Sequence, residues 1–135
     1  AFADGEFCSL VKHDPEYYFY GEETNITVRA YTHGYDLYHP NKIIAWHYYT
    51  RNNRPKHWDD HVIEQSDWSK MDQKSTEKYR KTFKIDNNDE LSLNEYGFGK
   101  VRTIQDYELY AGIKFSDRYI SDYTKKHLVP PNPIE

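Results

Sequence analysis

The apolar and polar positions change period several times along the chain. In "GEFCSLV" the residues alternate, with Phe7, Ser9 and Val11 on one side, which predicts a strand. "HDPEYY", His13 to Tyr18, reads as a turn in which Pro15 fixes φ. From Glu22 to His33 the spacing becomes helical: Ile26 and Ala30 lie one turn apart, as do Thr27 and Tyr31. Glu22 and Glu23 fall at the positive end of that helix, where acids are stabilised, and Gly34 follows as its stop. "YDLY" and "IIAWHYY" return to strand-like runs, broken by Pro40-Asn41.

A polar loop, Thr50 to His61, leads into a second half that reads as helical. Ser66 or Asp67 caps a helix that directs Trp68, Met71, Tyr79 and Phe83 toward the core, and "DNND" breaks it at Asp86 to Asp89. "TIQDYELYAGI" carries a capping box at Thr103 and Asp106 and a glycine stop at Gly112. The closing "VPPNPIE" reads as a loosely held tail.

With 135 residues the chain suits one domain and one modest core. Its mean hydropathy of -1.05 is low. Yet aromatics make up 17% of it, including 14 tyrosines, which argues against disorder. Tyrosine packs with its ring and bonds with its hydroxyl, so it suits sugar and peptide surfaces as well as a wet-edged core. The net charge of -4 comes from interspersed acids and bases and leaves no basic footprint for nucleic acid or an anionic membrane. No apolar run reaches transmembrane length. One cysteine, Cys8, cannot form an internal disulfide and favours a reducing compartment, hence the cytoplasm.

The candidate chemistry is concentrated in few places. Gly21 permits a sharp entry into the first helix, and Glu22 and Glu23 follow it. A carboxylate pair there either complements the helix dipole or accepts a hydroxyl proton from a substrate. "NIT" at Asn25 has the letters of a glycosylation acceptor, but a mid-helix asparagine is not on the extended loop such an acceptor needs. "HWDDH" sets His57 and His61 four apart, a metal-like spacing that the neighbouring Pro55 places in a loop instead. His47 ends the run "IIAWH", where a strand delivers a side chain to a sheet edge. No phosphate-binding glycine loop, nucleophile elbow, cysteine pair or strict D-x-D is present.

Taken together, "DPEYYFYGEETNITVRAYTHGYDLYHPNKIIAWHYYTR" and the later "YGFGKVRTIQDYELYAGI" resemble a known family over roughly residues 1–113. The family is that of UDP-GlcNAc-dependent polypeptide α-N-acetylglucosaminyltransferases, glycosyltransferase family 60. Its members are similar to polypeptide GalNAc-transferases, whose fold is GT-A, a Rossmann-like α/β sandwich. The resemblance implies that residues 1–113 are the C-terminal, acceptor-side half of a GT-A domain, with 57–113 its helical portion and 114–135 a C-terminal tail. It implies catalytic roles for Glu22 and Glu23, substrate contacts from Gly21, Arg29, Arg51 and Trp58, and a metal-binding role for His47. Arg51 sits one residue later than the family pattern expects. The implied cofactor is a divalent ion, Mn²⁺ or Mg²⁺, and the implied partners are a UDP-sugar donor and a protein or glycan acceptor. Since the nucleotide-binding strands and acidic metal motif of such enzymes have no counterpart here, the N-terminal half is expected to be missing from this chain. The chain alone is then expected to be inactive. The alternative is a non-catalytic half-domain that binds carbohydrate or a partner.

Overall fold

The computed structural model describes residues 2–50, 55, 56, 59, 67–86 and 91–133. Along these run α1 (Phe7–Leu10), α2 (Glu22–Thr32), α3 (Trp68–Thr82), a 3₁₀ turn (Asn94–Tyr96), α4 (Ile104–Ala111), β1 (Ile113–Lys114), β2 (Tyr119–Ile120) and α5 (Asp122–Lys125). The only sheet among the described residues is β1 with β2, antiparallel, pairing Ile113 with Ile120 and Lys114 with Tyr119.

Helix α2 forms where its apolar spacing predicts. It starts after Gly21, whose φ is +85°, and ends at His33 and Gly34, whose φ is +100°. The Tyr35 N–H turns back to the Ala30 carbonyl at 3.0 Å, closing the helix end. Helix α3 is capped by Asp67, whose carboxylate accepts the Lys70 N–H. The Ser69 hydroxyl and Lys70 hold the Asp67 carboxyl down at about 2. Helix α4 carries the expected capping box between Thr103 and Asp106, and Gly112, at φ +64°, stops it.

These helices meet in an aromatic core. Val28, Phe83, Tyr107 and Phe115 are buried, with Tyr31, Tyr79 and Phe98 packed around them. Phe83 stacks on Phe115 at 4.2 Å between ring centroids, and Tyr31 meets Tyr107 edge-on at 5.5 Å. Each such side chain contributes about 1.5–3 kcal/mol on removal from water. Phe83 and Tyr79 face the core as the α3 spacing predicts, whereas Met71 is half-buried and lines the surface between α3 and the Pro15 turn, and Trp68 is 40% exposed because it opens the first turn, beyond the core's reach.

Three expectations about local structure are corrected. "GEFCSLV" holds a single helical turn, not a strand. The Asp4 carboxylate accepts the Phe7 N–H at 3.1 Å, and the Phe7 ring meets Tyr35 edge-on at 5.2 Å. The runs "YDLY" and "IIAWHYY" form no strand, since a strand exists only through a paired neighbour and none of the described residues supplies one. The tail is docked as far as it is described: the Asn132 N–H donates to the Tyr110 carbonyl at 2.8 Å, and the Tyr123 hydroxyl donates to the Val129 carbonyl at 2.9 Å.

Residues 96–102 wrap the far side of α2 as a clasp. The Gly99 N–H donates to the Thr32 hydroxyl at 2.9 Å, and the Val101 and Arg102 N–H groups both donate to the Thr32 carbonyl. Arg102 lies over the Tyr31 ring at 4.6 Å and donates to the Tyr35 carbonyl and the Asp36 carboxylate. The last turn of α2 is thus satisfied by groups from a distant segment.

Candidate functional site

Gly21 is required by the turn it makes. A side chain there would be strained by the left-handed φ, and its Cβ would sit 2.5 Å from the Tyr79 ring. Tyr20 packs edge-on against the same ring at 5.4 Å, and the buried Ser75 hydroxyl donates to the Tyr20 carbonyl at 2.7 Å. The entry to α2 is therefore seated on α3 by three neighbouring contacts. From that seat Glu22 and Glu23 project from the first turn, at the positive end of the helix.

The two carboxylates differ in surroundings. Glu22 is one-third exposed (33%), and its carboxylate lies 3.2 Å from the imidazole Nε2 of His13. Glu23 is exposed, and its backbone carbonyl accepts the Thr27 hydroxyl at 2.6 Å. His13 is the one residue of this cluster that the sequence does not flag. It lies nine positions before Glu22, on the other side of the Pro15 turn, so no helical or strand spacing links them.

Asn25 is buried within α2, where its amide donates to the Tyr17 hydroxyl at 3.4 Å, so it does not stand on an accessible loop. Arg29 is fully buried at 0% exposure. Its Nε–H donates to the Gly97 carbonyl at 3.3 Å and its Nη1 to the Lys12 carbonyl, with the Tyr96 ring 5.7 Å away. Burial lowers its pKa, and Asp14 and the neighbouring tyrosines oppose that shift. Arg29 therefore ties the segment before α2 to the clasp behind it, and stands about 10 Å along the helix from Glu22.

His47 is exposed, in an irregular stretch, with its ring 4.1 Å from that of Tyr49. Among the described residues no three His, Cys, Asp or Glu side chains gather into a metal-binding group. A hard divalent ion wants several oxygen ligands, and a single exposed imidazole does not supply them. The described residues by themselves therefore supply one imidazole and no complete divalent-ion site. Arg51, Trp58, His57 and His61 lie outside the described residues.

A groove of about 560 Å³ opens beside the Glu22–Glu23 turn, with Tyr20 and Thr24 on its near wall. Its floor is aromatic, formed by Tyr79, Tyr107 and Phe115, and its far wall is the β1–β2 hairpin. Burial pushes the Tyr107 phenol up to about 12. Arg80 and Arg118 at the rim both bond the Asp86 carboxylate, and its hydrogen bond from Arg80 lowers the Asp86 pKa, followed by that from Arg118. Neither Glu22 nor Glu23 lines this groove; they border it through Thr24.

No helix among the described residues is long and apolar enough to cross a membrane. A family model described as Glycosyltransferase (GlcNAc) matches residues 1–117. Neither the curated proteins nor the solved structures gave a match.

Proposed function

Because this chain belongs to the glycosyltransferase (GlcNAc) family, we propose that it is the acceptor-side part of an enzyme that transfers GlcNAc from UDP-GlcNAc to a hydroxyl group of a polypeptide or glycan. The observation that carries the reading is the left-handed Gly21 turn, which sets two carboxylates in the first turn of α2 beside an aromatic groove. In the reaction the bond from the sugar C1 to the donor phosphate breaks and a bond from C1 to the acceptor oxygen forms. UDP departs with the electron pair of the broken C1–oxygen bond, the acceptor hydroxyl passes its proton to the Glu23 carboxylate as its oxygen bonds C1, and positive charge builds on the sugar ring between bond breaking and bond making.

In this reading the exposed Glu23 carboxylate accepts a hydrogen bond from the acceptor hydroxyl and fixes its approach. Glu22, oriented by His13, supplies negative charge beside the developing cation. Retention of the anomeric configuration and membership of glycosyltransferase family 60 belong to the same proposal. So does a GT-A sheet, to which residues 38–50 would contribute a strand in the complete enzyme. The support for that sheet is their strand-like, apolar and exposed character.

The test is Glu23→Gln in the enzyme that contains this chain. Gln keeps the size and loses both the charge and the proton affinity. Turnover should fall by about 10²–10³-fold, while the Kd for UDP-GlcNAc, read by calorimetry, stays within about twofold. Unchanged turnover would reduce the pair to a complement of the helix dipole. A second reading, a non-catalytic carbohydrate- or partner-binding unit, is favoured by the aromatic groove itself. It forecasts glycan binding that does not respond to UDP-GlcNAc.

A further inference from the structure

The groove beside the Gly21 turn has a charge pattern unlike that of the chain as a whole. The protein carries a net charge of -4, yet the charged side chains lining this groove are Arg80, Lys114 and Arg118, with no carboxylate among the described residues that line it. The contrast with the surface between α3 and the Pro15 turn is direct. There Lys74, Lys78 and Lys81 share a similar cavity with Glu16 and Glu77, so its charge is largely internally matched. In the groove the matching acids stand outside: Asp86 bonds Arg80 and Arg118, and Asp117 bonds Lys114 at 2.6 Å.

Those ion pairs are exposed, and exposed pairs hold their partners weakly. An incoming carboxylate therefore exchanges with Asp86 or Asp117 at little cost. Between the cations lies an aromatic floor with Tyr20 and Tyr119 also lining the groove, a surface that packs against backbone and side chain without demanding a charge. A cavity of this size accepts a few residues of extended chain, short of a folded partner. Its near wall includes Thr24, next in sequence to Glu23.

We infer that this groove holds an acidic stretch of the polypeptide acceptor flanking the hydroxyl to be modified. The inference rests on the glycosyltransferase reading above and names the substrate class of that site: a polypeptide rich in Asp and Glu. Charge complementarity of this kind selects partners and raises their on-rate more than it tightens the final complex.

The test measures binding without turnover. A fluorescein-labelled, acid-rich peptide of about ten residues with one threonine, roughly 33 Å when extended, is titrated by anisotropy in the absence of sugar nucleotide. A control peptide carries lysine at each acidic position. The acidic peptide should bind at least about tenfold more tightly than the control, with an affinity that falls as salt rises. The double variant Arg80→Gln, Arg118→Gln should lose about tenfold of that preference. Because this variant also removes the tie between α3 and the hairpin, Asp86→Asn serves as a second arm. It frees both arginines and should tighten the acidic peptide by about threefold. Equal binding of the two peptides, or a weakening by Asp86→Asn in a protein with an unchanged urea midpoint, would overturn the inference. Displacement of the peptide by UDP alone would also overturn it, by assigning the cations to the nucleotide. Tight binding of the acidic peptide, together with no transfer to it when the enzyme that contains this chain is supplied with UDP-GlcNAc, would instead count against the glycosyltransferase reading and leave the groove's selectivity standing.

Discussion

Helix α2 and residues 38–50 both carry apolar residues but have opposite fates. In α2 even polar residues are interior: Asn25, Arg29 and Thr32 are all buried, each with hydrogen-bond partners in the chain. In the second stretch Tyr38, Ile43, Ile44, Trp46, Tyr48 and Tyr49 all stand in solvent, Trp46 at 85% exposure. Hydrophobicity alone thus did not decide burial. A helix satisfies its own backbone and needs a neighbour only for one face, whereas a strand needs a neighbour for its backbone first. The 96–102 clasp supplied that neighbour to α2, and no described segment supplied it to residues 38–50.

The comparison breaks most severely at Gly99. A Cβ there would lie 2.3 Å from the Thr32 carbonyl oxygen and 2.4 Å from the His33 nitrogen, and both are backbone atoms that cannot swing aside. Gly99→Ala should cost about 3 kcal/mol, read as a lower urea midpoint. A loss below about 1 kcal/mol would mean that the clasp is not what holds α2.

High pH should attack the same region. Burial raises the Tyr107 phenol from an ordinary 10.0 to about 12, with Tyr110 and Tyr79 adding to the shift. The folded state therefore prefers the neutral phenol. That contribution is complete below pH 10 and is lost as pH climbs through about 12, a change of about 2–3 kcal/mol. Urea midpoints between pH 9 and 12 should fall accordingly, and Tyr107→Phe should flatten the decline. An identical decline in the Phe variant would assign the alkaline transition to other groups.

The smallest effect is expected in the exposed stretch. Ile44→Ser and Trp46→Ser should each change stability by less than about 0.5 kcal/mol. A loss of 2 kcal/mol or more, roughly that of a buried aliphatic side chain, would show that these residues are covered in solution.

What the sequence disclosed was local. The first-turn glutamates, the Gly34 stop, the Thr103–Asp106 box and the Gly112 stop each depend on residues within about four positions, and all four are in place. What it left unread involves distant partners. Arg29 carries the same letter whether it meets a ligand or the Gly97 carbonyl 68 residues away, and only the fold distinguishes these. The strand pattern of "IIAWH" was legible, but the absence of a described partner strand was not. The His13–Glu22 pair depends on how the Pro15 turn folds back, which no periodicity reports.

The clasp also sets an order of events in time. Helix α2 has 11 residues, fewer than a helix normally needs to persist alone in water. Its lasting partner, Gly99, is joined to Thr32 across 67 residues of chain. Closing so long a loop is slow and entropically costly compared with winding a turn. The last turn of α2 therefore acquires its fixed position only after the far segment has docked, and loses it whenever that segment lifts. Amide hydrogen exchange should show the α2 amides and the Gly99–Arg102 amides opening together, as one unit.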